Sequence, residues 1–138
     1  MIFIYDNSQI NFLYNSSFLT LFSFFYAIYN KNYNLCIVPG GVFLTSINYW
    51  RNPMYGWRRN LDITYVGCAL IYQAFISYSN PYFNAHLAIM SLAMTCYPIS
   101  IYYYNNNKIW HSVYFHSGIH IFANIANIIL YHGKRMTE

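Results

Sequence analysis

The seven basic and three acidic side chains of this 138-residue sequence sit at a few points, and that placement limits the fold more than any other feature. They are Asp6, Lys31, Arg51, Arg58, Arg59, Asp62, Lys108, Lys134, Arg135 and Glu138, which leaves uncharged runs at 7–30, 32–50, 63–107 and 109–133. One helix crossing a bilayer core needs about 20 mainly apolar residues. Charged residues make up 7% of the chain, against about 25% in soluble globular proteins. The expectation is an integral membrane protein. Its mean hydropathy is modest because the chain carries seventeen Tyr, a residue that belongs at membrane interfaces, and many Asn. The net charge of +4 is dispersed and forms no basic stripe, so nucleic acid is not an expected partner.

The runs divide into five predicted spans. The first, 12–29, resembles a secretory signal only in hydropathy, since no basic segment precedes it and no small-residue cleavage site follows. The second, 34–50, carries Pro39-Gly40-Gly41 near its start, which predicts loosened or kinked first turns. Arg51-Asn52-Pro53 ends it, and 51–61 reads as a basic, aromatic interfacial loop. Asp62 is expected to open the third span, 62–79, either capping the helix or complementing its N-terminal dipole. Ser79-Asn80-Pro81 separates it from the fourth, 82–104, and a polar turn through Lys108 leads to the fifth, 109–131. The predicted fold is therefore all-α, a single domain forming a polytopic bundle of about five transmembrane helices. Cys36, Cys68 and Cys96 are isolated from one another and read as small buried side chains rather than a disulfide framework.

Five alternating spans put the C-terminal end of span two and the N-terminal ends of spans three and five at the same membrane face. Ser46, Asp62, His116 and His120 all belong to those ends. That face carries Arg51, Arg58, Arg59 and Lys108, while Lys31, Lys134 and Arg135 fall on the other, so the basic count leans toward a cytoplasmic site-bearing face.

The last span holds the chemistry. His116 and His120 lie one helical turn apart, and Asn124 and Asn127 continue the same side, all four within about 80° of arc. Ionisable and polar groups inside a membrane usually face the bundle interior. Two readings are open. A His pair at this spacing offers two imidazole ligands to zinc, with Asp62, His86 or His111 as the third and metal-bound water as a nucleophile for an amide or ester carbonyl. Ser46 would then hydrogen-bond the water or the oxyanion. Alternatively, the four polar side chains join helices by hydrogen bonds alone.

The order Ser46-x3-Trp50, Asp62, then His116-x3-His120 in the last span resembles the alkaline ceramidase and adiponectin-receptor superfamily of membrane hydrolases. The resemblance implies a lipid amide or ester hydrolase with a zinc cofactor. Ser46 and Asp62 would have catalytic roles, and His116, His120 and Asp62 would be the metal ligands. Trp50 stands where the family has a ligating His, and five spans replace seven. These departures point to a rearranged site or to a degenerate member that binds lipid without hydrolysing it. The competing expectation is a non-enzymatic subunit of a membrane assembly with membrane-protein partners. Both readings place membrane lipids around the chain.

Overall fold

A computed structural model describes residues 5–133, and Lys134 and Arg135, counted above on the opposite face, lie outside them. The described residues form six helices: α1 (Asn7–Ser17), α2 (Thr20–Tyr29), α3 (Tyr33–Trp50), α4 (Trp57–Ser77), α5 (Phe83–Asn105) and α6 (Ile109–Gly133). No strand occurs among them. Two helices, α5 and α6, are long and apolar enough to cross a membrane.

The first predicted span is longer than expected and divided in two. Asp6 starts it: its carboxylate accepts from the Gln9 amide, and the Gln9 side chain accepts from the Asp6 amide, a reciprocal capping box. Phe18 and Leu19 join α1 to α2 through helical backbone in which hydrogen bonds tighten to three-residue spacing.

Helix α3 runs unbroken through Pro39, contrary to the expected loosening. A proline removes the amide that would bond the carbonyl four residues earlier. Here that carbonyl belongs to Leu35, and the buried Tyr131 hydroxyl donates to it at 3.4 Å. The next glycines serve packing. The Tyr65 hydroxyl lies over Gly41 and donates to the Ile37 carbonyl at 2.5 Å. A side chain at Gly41 would occupy the volume of the phenol ring.

Helix α4 begins at Trp57, not at Asp62. Gly56 precedes it with φ of 153°, a conformation that side-chain-bearing residues rarely adopt, and the helix starts where that turn ends. Asp62 is therefore a turn and a half inside α4 and caps nothing. Arg58 and Arg59 belong to the first turn of α4 rather than to a loop, with their guanidinium groups 5.5 Å and 5.4 Å from the rings of Trp57 and Tyr55. Of the three cysteines, only Cys96 is buried; Cys68 is exposed.

Helices α5 and α6 pack against each other along most of their lengths. Small side chains, Ala93 and Ala126 with Met90, let the backbones approach in one half, and the Ser100 hydroxyl donates to the Ser112 carbonyl in the other. On its other sides α6 meets α1 and α2, while α3 packs on α1, α2 and α4. Leu13, Trp50 and Val113 form one buried cluster, and Ala27, Leu35, Leu130 and Tyr131 another.

The close approach at Gly41 generates a test. Gly41→Ala should destabilise the protein by about 1–3 kcal/mol, the usual cost of overpacking. Adding Tyr65→Ala should recover much of that loss in detergent thermal melts. An unchanged melting temperature in Gly41→Ala would contradict the α3–α4 packing described here.

Candidate functional site

Between α4 on one side and α5 and α6 on the other lies a cavity of about 460 Å³ with a mainly apolar lining. Ser46, Asp62, His116 and His120 all line it, so the common interior space expected for them exists. Each arrives there from a different local cause. Ser46 sits in the last turns of α3, facing α4; Asp62 is on the inner face of α4; the His pair is on the inner stripe of α6.

Asp62 is tied to α3. Its Oδ1 accepts from the Thr45 hydroxyl at 2.6 Å and the Ser46 hydroxyl at 2.9 Å. Among the described residues neither Arg58 nor Arg59 pairs with Asp62; their guanidinium groups lie on the rings of Trp57 and Tyr55. The neighbouring Trp50 is almost fully buried, and its indole packs edge-on to the His116 ring with centroids 4.9 Å apart. The rings of His116 and His120 are 5.8 Å apart. Trp50 Nε1 and His120 Nε2 are buried without a hydrogen-bond partner in the structure.

Deeper along the same cavity, a polar cluster joins three helices. Gln73 on α4 is fully buried, and its amide donates to Asn127 Oδ1 at 2.8 Å. The same nitrogen lies 3.4 Å from His86 Nε2 on α5, while His86 Nδ1 is 3.0 Å from the Ala126 carbonyl. Those contacts fit a His86 that donates from Nδ1 and accepts at Nε2. Asn124 accepts from the Ser23 amide at 2.9 Å, linking α6 to α2. Asn124 and Asn127 thus join helices by hydrogen bonds, the second of the two uses open to the polar stripe.

Zinc does not fit the donors as they stand. Among the described residues no three His, Cys, Asp or Glu side chains group closely enough to hold a metal ion. The set His116, His120 and Asp62 is therefore not assembled as a ligand triad among the described residues; Thr45 and Ser46 donate to Asp62 Oδ1, and the indole of Trp50 packs against the His116 ring. The other candidates for a third ligand are elsewhere. His86 belongs to the Gln73 cluster, and His111 is exposed, stacked against Tyr103 at 5.2 Å.

Comparison with protein-family models, with characterised proteins and with solved structures yields no match.

Thr45 and Gln73 are the site residues that sequence reasoning passed over. Gln73 carries a signal, since it is an amide inside the long uncharged run 63–107. Thr45 carries none, because a hydroxyl is common in any helix.

Removal of Gln73 should expose how much the deep cluster contributes. Gln73→Leu leaves Asn127 Oδ1 and His86 Nε2 without their donor and should destabilise the fold by about 1–2 kcal/mol. Gln73→Leu combined with Asn127→Leu should cost less than the sum of the two single changes. Strict additivity in unfolding measurements would show that these side chains do not act as a pair.

Proposed function

We propose that this chain is a five-span membrane protein whose interior cavity binds an amphipathic ligand without hydrolysing it. The observation that carries the reading is the buried indole of Trp50, at the place where the resemblance to the hydrolases would put a ligating imidazole. Trp50 abuts His116, while Asp62 is held by two hydroxyls, so the polar groups are spaced for binding rather than grouped around an ion. A largely apolar pocket of about 300–1,000 Å³ with a few placed polar groups is the ordinary form of a small-molecule site.

The membrane setting is supported by the perimeter. Phe22, Phe25, Leu44, Ile71, Phe75 and Leu92 project outward from α2, α3, α4 and α5, each more than half exposed. In water such a surface would be costly; in lipid it is the expected one. In this reading the joined α1–α2 unit would be one span and the four later helices the other four. On the same reading the Asp62-bearing face is the cytoplasmic one, since Arg51, Arg58, Arg59 and Lys108 fall at the helix ends on that side and the positive-inside rule leans that way. A cysteine placed at Asn52 in a cysteine-free background should react with an impermeant maleimide only after intact cells are permeabilised. Labelling of intact cells would reverse the orientation.

The function is tested on protein purified in detergent. The expected result is a co-purifying amphiphile seen by native mass spectrometry, no stoichiometric zinc, and no fatty-acid release from amide or ester lipids. Trp50→His, which puts an imidazole beside His116 and His120, should raise zinc affinity. Stoichiometric zinc in the parent that disappears in His116→Ala, together with lipid hydrolysis, would replace this reading with the hydrolase. An empty cavity with neither zinc nor ligand would favour the packing subunit.

A further inference from the structure

Among the described residues the cavity is lined by a single carboxylate, that of Asp62, and no basic side chain pairs with it. Both hydroxyl donors to Asp62 go to Oδ1, and Oδ2 has no hydrogen-bond partner among the described residues. No described basic side chain forms an ion pair with Asp62. The nearest in sequence that also lines the cavity is Arg59, one turn toward the mouth, and its guanidinium is placed over the Tyr55 ring. A carboxylate facing a mainly apolar space is costly unless a cation or further donors join it.

The wall at the Asp62 end is aromatic. Tyr104 packs on Tyr5 with centroids 5.7 Å apart, Tyr5 on Trp50 at 5.8 Å, and Trp50 on Tyr49 at 4.6 Å; all four line the cavity. Aromatic faces attract organic cations, and an acidic group among such rings is the usual means of holding an ammonium head. Beyond Asp62 the lining becomes Ile63, Val66, Gly67, Leu70, Met90 and Met94, suited to a hydrocarbon chain. The volume of about 460 Å³ lies in the lower half of the small-molecule range of about 300–1,000 Å³, room for one chain rather than two.

We infer that the cavity selects a single-chain amphiphile with a cationic amine head, the ammonium at Asp62 against the tyrosine-rich wall and the chain running past Gly67 toward Gln73. This rests on the amphiphile-binding reading and adds the charge of the head and the orientation of the chain. Gly67 offers a means of blocking the chain without disturbing the fold, since a Cβ there would meet no atom within 4 Å.

The test uses full-length protein in phosphatidylcholine nanodiscs, with Trp57 and Trp110 replaced by Phe so that Trp50 is the only tryptophan. Three twelve-carbon probes brominated at the same chain position are compared: an amine, an alcohol and a carboxylic acid. Quenching of Trp50 is read relative to Gly67→Leu, in which the chain path is filled. The amine is expected to quench at about tenfold lower concentration than the alcohol, the effect of one added charge contact. Asp62→Asn keeps an oxygen for the Thr45 and Ser46 hydroxyls, so its fold should survive, and it should bring amine and alcohol within about twofold of each other. Equal quenching by amine and alcohol in the parent, a preference for the acid, or an amine preference that persists in Asp62→Asn would overturn the inference. In each of those cases alcohol quenching that Gly67→Leu abolishes would leave the cavity reading standing. No Gly67-sensitive quenching by any probe would overturn both.

Discussion

Hydrogen bonding to α6 is the interaction on which the other elements depend. A helix packed between α5 on one side and α1 and α2 on others must satisfy its terminal carbonyls and its polar stripe from within the protein. The Leu130 and Tyr131 carbonyls, in its last turn, accept from the side chains of Asn80 and Asn32, which lie in the connections before α5 and α3. Its Ala126 carbonyl faces His86 on α5, Asn127 receives Gln73 from α4, and Asn124 receives the Ser23 amide from α2. Apolar packing alone is weakly directional in lipid, because lipid tails are as apolar as the side chains they would replace. These polar contacts fix which helix lies beside which.

The cavity follows from that arrangement. α4 packs on α3, while α5 packs on α6, and the deep Gln73–Asn127–His86 cluster ties the two pairs together at one end. The space between the pairs is lined by Gln73 and Asn127 as well as by Asp62, Ser46 and the His pair. The same polar residues thus both hold helices together and line the cavity.

A single side chain decides the chemistry available there. Two imidazoles one turn apart are the easy part of a metal site, since helix geometry supplies them without further help. The third donor must come from another helix at the right depth, and at that place the protein has the indole of Trp50. Its burial against Leu13 and Val113 makes it part of the packing between α1, α3 and α6 as well as of the cavity wall. An indole coordinates no metal, so the side chain beside His116 is an apolar anchor rather than a ligand.

The sequence by itself determined the helices and most of their ends. Charge-free runs of membrane length, broken by Pro, Asn and charged residues, correspond to α3, α5 and α6 within one or two residues. They do so because backbone groups buried in an apolar setting must bond locally, which a helix does using only its own residues. The start of α1 lies five residues before the expected span, at the Asp6–Gln9 capping box, and the start of α4 depended on the conformation of Gly56. The spacing of the α6 stripe also put His116, His120, Asn124 and Asn127 on one side, because helical periodicity is a local property. Only the tertiary structure decided what that side faces. It gave Asp62 to Thr45 and Ser46 rather than to an arginine or a helix end, Asn127 to Gln73, and the place beside His116 to Trp50. Those pairings depend on the rotation and depth of one helix against another, set by contacts between residues far apart in the chain, and no local pattern encodes them.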